Sequence, residues 1–203
     1  MGIAERKERE KQELKDKIIN AATEIFLEAG ADGTSIRMIA DRIEYSPATI
    51  YLHFKDKNEL FNVIMDRAFS LFFQYFSTVL DISEPMERLK ALGHVYLKFA
   101  LENPEFYSLM FIIKEPMAIH RKEENWDLGK RSHDILTQTV QDCINAGYFK
   151  GHQSEILSFS IWSTVHGLVS LKICDRMVMY SQIEAEELLS KALESFNEML
   201  ERA

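Results

Sequence analysis

The sequence predicts an all-α protein, with a small three-helix domain at the N-terminus and a larger helical domain behind it. Three observations lead there. The 203 residues contain only 8 Gly and 4 Pro, which leaves long stretches without a breaker. Apolar residues recur three and four apart through most of the chain, and no segment alternates with the period of a strand. The composition, 46% hydrophobic and 28% charged, is that of a globular chain able to bury a core.

Helix one carries Ile18, Ala22, Ile25, Phe26 and Ala29 on one stripe, and Gly30 is placed to stop it. The charged stretch before Leu14 reads as a frayed lead-in. Thr34 stands as an N-cap ahead of Ile36, Ile39, Ala40 and Ile43, so a short second helix spans 34–44. Ser46-Pro47 opens a third at once, Ser as N-cap and Pro at the first helical position, running to Phe54. Asp56 can cap a fourth, over 57–80, with Leu60, Ile64 and the aromatic stretch Phe69 to Phe76. Further helices are expected over 86–102, 105–114, 130–145, 154–179 and 183–202, with breaks at Asn103-Pro104, Pro116 and Gly147. The polar stretch from Ile119 to Gly129 is left unassigned. These elements divide into domains at 1–57 and 58–203.

Several function classes are disfavoured. The N-terminus alternates both charge signs from Glu5 to Lys17, unlike a secretory signal. No apolar run approaches the roughly 18 residues of a membrane span, and no membrane partner is expected. Cys143 and Cys174 lack metal-type spacing, and each reads as a buried, inert thiol in a reduced compartment. No metal, cofactor or catalytic residue is expected: the chain has no Gly-rich phosphate loop, nucleophile elbow or Glu-x-x-His pair. The net charge of −8 speaks, taken alone, against a nucleic-acid partner. A basic footprint need only be local, within a Debye length of about 10 Å. Around residues 37–57, Arg37, Arg42, Lys55 and Lys57 are set against Asp41, Glu44 and Asp56, a balance that is only weakly positive.

Arrangement carries the argument instead. Two brief helices joined by a tight turn cannot bury much alone and need helix one as a support. This is the design of a helix-turn-helix, which frees one edge of its second helix for a major groove about 12 Å wide. Ile50 faces the support, leaving Ser46, Ala48, Thr49 and Tyr51 outside. Taken singly, His53 reads as a surface histidine, Tyr51 as core, and Arg37 and Arg42 as solvated charges. Their joint order favours the other reading.

The run Ser46-Pro47-Ala48-Thr49-Ile50-Tyr51-Leu52-His53-Phe54-Lys55-Asp56-Lys57, with Ile39-Ala40 before it and Glu59-Leu60 behind, resembles the DNA-binding signature of the TetR family. Ala21-Ala22, Phe26, Gly30 and Thr34 belong to the same pattern, and the match covers residues 15–61. The resemblance implies that Thr34 caps helix two against a phosphate. It places Ser46, Pro47, Thr49 and Tyr51 at the groove, and His53 and Lys57 on phosphates. Ser35, Arg37 and Ala48 join them as candidate DNA contacts. It also implies a cytoplasmic regulator, nucleoid-associated when bound to its double-stranded operator. Two departures stand out: Glu44 occupies the turn where the family commonly has Gly, and the third helix lacks Arg, Asn and Gln, the usual bidentate base readers.

Ile161 to Leu168 resembles the Trp-x-x-x-His-Gly motif of one C-terminal class of the same family, as does Asn103 to Phe111. His166 has no partner at ligand spacing, so a hydrogen-bonded structural histidine is favoured over a metal ligand. Aromatic and Met residues gather in the middle of the chain. Phe73, Phe99, Phe106, Met110 and Trp162 are the candidate walls of a pocket for a small apolar or amphipathic effector, although each singly reads as core. The last two helices are more apolar than one shared contact requires. Leu168, Leu189, Leu193, Phe196 and Leu200 are the candidate homodimer interface. The function expected is a dimeric repressor released by an effector, the fourth helix transmitting the shift. The rivals are an activator, a helix-turn-helix protein that binds a protein partner, and, more remotely, a helical enzyme.

Overall fold

The computed structural model describes residues 2–113 and 127–202, and all regular elements among them are helical. They are α1 (Ile3–Gly33), α2 (Ile36–Arg42), α3 (Pro47–Tyr51), α4 (Lys57–Ser77), α5 (Pro85–Glu102), α6 (Pro104–Tyr107, continuing into a π-helical turn over Ser108–Ile112), α7 (Asp127–Asn145), α8 (Ser154–Ile173) and α9 (Gln182–Glu201). The chain forms two compact units, Met1–Ala68 with Glu105–Trp126, and Phe69–Pro104 with Asp127–Ala203. The dividing point therefore falls inside α4 rather than at residue 57. Leu60, Phe61, Ile64, Met65 and Ala68 are all fully buried and give the first unit its share of that helix. The expected break at Pro116 and most of the polar stretch after Ile119 lie outside the described residues.

In the first unit the lead-in is not frayed. Helix α1 starts at Ile3, and ion pairs one turn apart, Arg6–Glu10 and Arg9–Glu13, lace its exposed first turns. Gly30, at φ 70° and ψ 174°, breaks the helix where expected, and a last short turn carries on to Gly33. The buried stripe is the expected one, Ile18, Ala22, Ile25 and Phe26, with the Phe61 ring edge-on to Phe26 at 5.1 Å. The N-cap of α2 is Ser35, whose Oγ accepts from Met38 N–H at 3.2 Å. Thr34, assigned that role from the sequence, is buried and donates its hydroxyl back to the Gly30 carbonyl at 2.7 Å. It closes α1 rather than opening α2. Arg42 is tied to Glu24 and Glu28 of α1 at 3.1 and 2.8 Å, which fastens α2 to its support.

The turn between α2 and α3 is a Schellman motif. Tyr45 N–H reaches the Ala40 carbonyl at 2.9 Å, Glu44 N–H reaches that of Asp41 at 3.3 Å, and Glu44 sits at φ 61°. The same pattern, with Gly147 at φ 102° and Asp175 at φ 51°, ends α7 and α8. This stops α8 at Ile173, six residues before the sequence reading, and leaves Cys174 exposed. Cys143 is buried as expected, and desolvation pushes its thiol up to about 11.

In the second unit α5, α7, α8 and α9 enclose Met86, Leu89, Val140, Cys143, Phe149, Ile161 and Leu200. Arg88 of α5 binds Asp142 of α7, donates to Thr139 Oγ1 at 3.3 Å and to the Ile82 carbonyl at 3.0 Å. A Cβ on Gly93 of α5 would lie 3.2 Å from Leu193 of α9, so glycine permits that close crossing. By length and composition α8 is apolar enough to cross a membrane, which counting unbroken runs did not reveal. Only Ser158, Ile161, Val165 and Val169 of it are buried, and Ile156, Phe159 and Leu171 are exposed.

Left-handed backbone costs a non-glycine residue about 1 kcal/mol. Replacing Glu44 by Gly is expected to gain somewhat less, because glycine loses more entropy on folding. Thermal unfolding should show a rise of roughly 1–4 °C for Glu44→Gly and none for Glu44→Ala, which keeps the Cβ penalty.

Candidate functional site

Helix α3 has five residues and is placed by what lies under it. Ile50 and Phe54 are buried, 0% and 2% exposed, and pin its inner edge. At its start the Ser46 Oγ accepts from Thr49 N–H at 3.2 Å and meets the Thr49 hydroxyl at 3.0 Å. The outer edge is free: Ser46, Pro47 and Ala48 are exposed, Thr49 is half-buried, and Tyr51 and Leu52 are 55% and 82% exposed. Ser35 and Arg37 are exposed on the first turn of α2. Asp56 caps α4 by accepting from Glu59 N–H at 2.9 Å, while Glu59 reaches back to Lys55 N–H, and Lys57 is half-buried at the start of that helix. Of the ten predicted contacts, the structure turns only Thr34 inward.

The electrostatics differ from the sequence count. Arg42 is occupied by Glu24 and Glu28, so it adds nothing to a DNA-facing charge. In its place α1 brings Lys11 and Lys15 near His53, with the Lys15 Nζ 5.8 Å from the centre of the Phe54 ring. Burial, and then those two charges, hold the His53 imidazole below the ordinary histidine value. Sequence reading missed Lys11 because it set the charged stretch before Leu14 aside as frayed, and it gave Lys15, just inside the expected helix, no role. The signal was present in their spacing of four.

The second unit holds three of the five candidate pocket residues, Phe73, Phe99 and Trp162. Phe99 is buried, with its ring 4.9 Å from Phe72 and 5.4 Å from Tyr75. Phe73 is half-buried under the Arg131 guanidinium at 4.8 Å. Trp162 is half-buried and donates its indole N–H to the Tyr96 hydroxyl at 3.3 Å; that hydroxyl lies 3.1 Å from His166 Nδ1. An indole only donates, so the hydroxyl accepts from Trp162 while it shares a hydrogen bond with Nδ1. Burial holds the His166 imidazole below its ordinary value, consistent with a neutral ring. Trp162 and His166, one turn apart on α8, thus grip a single tyrosine of α5. Phe106 and Met110 belong to the other unit, the former half-buried and the latter buried. An open groove of about 510 Å³ runs between α5 and α9. It is lined by Glu87, Lys90, His94, Glu194 and Glu198 among others, holds none of the predicted wall residues and is too acidic for an apolar ligand. Among the described residues no cluster of His, Cys, Asp or Glu could hold a metal ion.

Residues 18–64 match the family model of bacterial regulatory proteins of the tetR family, and residues 89–196 match the tetracyclin repressor-like C-terminal domain. The chain belongs to the TetR family. Among curated relatives, the transcriptional repressor NicS of Pseudomonas putida is 26% identical over 139 residues, 68% of this chain and 64% of that protein. The match thus spans just under two thirds of the relative's length. Among solved structures, AibR in complex with isovaleryl coenzyme A and operator DNA is similar with a TM-score of 0.69 and 20% identity. The alignment covers 92% of this TetR-family chain and 97% of AibR. FadR of Bacillus subtilis in complex with stearoyl-CoA gives 0.68 and 17%, covering 88% and 95%. At these identities the likeness is one of fold.

Two outcomes follow for the tyrosine grip. Tyr96→Phe leaves the Trp162 N–H and the His166 ring nitrogen without that partner, and should lower unfolding stability by about 1–3 kcal/mol in urea titration. His53 and His166 both stay neutral in the folded chain below the pH at which they protonate when unfolded. Stability is therefore full above the ordinary histidine value of 6.5 and falls as pH drops through it toward the lower folded values. Urea midpoints measured between about pH 7.5 and 5.5 should decline, and His166→Gln should flatten part of that decline.

Proposed function

We propose that this TetR-family chain is a ligand-responsive repressor that binds a near-palindromic duplex operator as a homodimer and releases it when a small apolar or amphipathic effector binds. The free outer edge of α3, braced by Ile50 and Phe54, carries the reading. Ser46, Pro47, Ala48, Thr49 and Tyr51 line that edge, and Ser35, Arg37, His53 and Lys57 flank it. Small residues at the start of α3 let its backbone come close to the groove. With no bidentate base reader on α3, specificity rests on apolar contacts of Ala48, Thr49 and Tyr51, on Arg37, and on duplex shape.

The dimer uses a different face from the one the sequence stripe gave. Leu189, Leu193 and Leu200 are buried in the protomer, Phe196 packs half-buried on the same core, and Leu168 is half-buried. Open instead are Leu188, Ser195 and Met199 of α9, with Ala192 half-buried between them, and Ile156, Phe159, Ser160, Ser163 and Leu171 of α8. Nothing lies within 4 Å of a Cβ built on Gly167, so a partner helix can approach closely there. A second copy would bury this surplus in a four-helix interface and set two α3 helices one DNA turn, about 34–36 Å, apart.

For the effector, the ligands bound in the AibR and Bacillus subtilis FadR structures are both acyl-CoA thioesters. The rings of Phe73, Phe99 and Trp162 suit an acyl chain, and Arg131 over Phe73 supplies a cation for its polar end. Phe106 and Met110 remain candidates on the other unit. An effector needs only a differential affinity of a few kcal/mol between the two states, and the coupling is reciprocal. The site of action is the cytoplasm.

Two measurements test this. The DNA fragment upstream of the chain's own coding sequence should be retarded in a gel at low salt, and Tyr51→Ala should weaken binding by about 1–3 kcal/mol. Added long-chain acyl-CoA should release it; absence of any retardation would remove the reading. Leu188→Glu with Met199→Glu should yield folded monomers in light scattering, with operator retention lost.

A further inference from the structure

The duplex contact read from α3 leaves an unexplained feature in the first unit. The N-terminal turns of α1 precede residues 18–64, the part of the chain that matches the family model. From Ala4 to Gln12 every residue is exposed, yet these turns hold a regular helix. Within them the acids are largely spent on arginines. Glu10 pairs with Arg6, Glu13 with Arg9 and Asp16 with Arg67, while Glu5 caps the Gly2 N–H. The lysines are left over. Lys7, Lys11 and Lys15 recur every four residues, so they share one face and rise in steps of about 6 Å. Among the described residues none of the three stands in an ion pair, whereas Arg6 and Arg9 beside them do.

The direction of this stripe is set by two contacts. Lys15 lies over the Phe54 ring at 5.8 Å, and both Lys11 and Lys15 are close enough to His53 to act on its charge. His53 and Phe54 end the recognition segment, so the stripe starts beside the DNA-facing edge and runs away from it along α1. Over Lys7 to Lys15 it extends about 12 Å, comparable to the width of a major groove.

We propose that Lys7, Lys11 and Lys15 form a rail along α1 that holds backbone phosphates beyond those reached from α3. It rests on the reading of α3 as a DNA-binding helix. Phosphate contacts add affinity and register but carry no sequence information. The rail therefore supplies the local positive charge that the residues of α2 to α4 lack, in a chain of net charge −8.

The test is the salt dependence of binding. The full chain is titrated against a labelled mixed-sequence duplex, and against the fragment upstream of its coding sequence, between about 50 and 200 mM KCl. The variant Lys7→Gln, Lys11→Gln, Lys15→Gln keeps good helix formers at exposed positions 7 and 11 and at half-buried position 15, and circular dichroism should show an unchanged helix content. Its log-log salt slope is expected to flatten by about 0.9 for each phosphate lost, about 3 per bound protomer. The loss should be equal on the two duplexes. A control with Lys98, Lys150 and Lys191 of the second unit changed to Gln alters net charge equally and should keep the wild-type slope. Arginine at positions 7, 11 and 15 should restore it. A wild-type slope in the triple Gln variant, or the same flattening in the control, overturns the rail while leaving α3 as the DNA reader. Failure of the unaltered chain to bind either duplex overturns both.

Discussion

A helix of five residues has no stability of its own, because nucleation consumes more conformational freedom than one turn of hydrogen bonds returns. Helix α3 exists only because its surroundings dictate it. Ile50 and Phe54 are drawn into the core of α1, α2 and α4, each burial worth about 1.5–3 kcal/mol. The Schellman turn at Glu44 fixes the angle at which the chain leaves α2, and the Ser46 cap starts the next helix at once. Every side chain on the outer edge inherits its direction from those constraints. Arg42, fastened to α1 by two glutamates, serves the same end by keeping α2 in place rather than by meeting DNA.

Much of this was legible because local signals agreed with one another. Ser46-Pro47, Asp56 and the stripe Ile18 to Phe26 each had one physical reading, and each is realised. The failures have a common cause: one-dimensional patterns do not tell which of two adjacent roles a residue takes. Thr34 and Ser35 are both good caps, and only the chain's path past Gly30 decides that Ser35 opens α2 while Thr34 turns back to α1. On α9 the apolar residues cover two faces one residue apart. Leu189 and Leu193 look inward, Leu188 and Met199 outward, and a count of apolar positions merges the faces into one stripe. The charged start of α1 has no apolar period to betray a helix. Its order comes from ion pairs four residues apart, a weaker signal than hydrophobic spacing.

The Trp-x-x-x-His spacing on α8 shows the converse, a motif whose meaning lies in a third residue. Trp162 and His166 stand one turn apart on α8. Both close on the Tyr96 hydroxyl, which accepts from the Trp162 indole N–H and hydrogen-bonds to His166 Nδ1. That arrangement joins α8 to α5 by polar bonds. The aromatic cluster of Phe72, Tyr75 and Phe99 lies on the other side of Tyr96. A tyrosine shared between a polar grip and an aromatic wall couples the two, so a ligand that displaces the ring also disturbs the hydrogen bonds.

The bare face shared by α8 and α9 bears on how much regulator a cell contains. An unpaired protomer leaves Ile156, Phe159 and Leu171 in water alongside Leu188 and Met199, a sticky surface open to aggregation and degradation. In the homodimer proposed above, pairing would cover that surface and protect it by mass action. The pool of lasting molecules then grows faster than the rate of synthesis, giving a threshold in gene dosage below which little regulator survives.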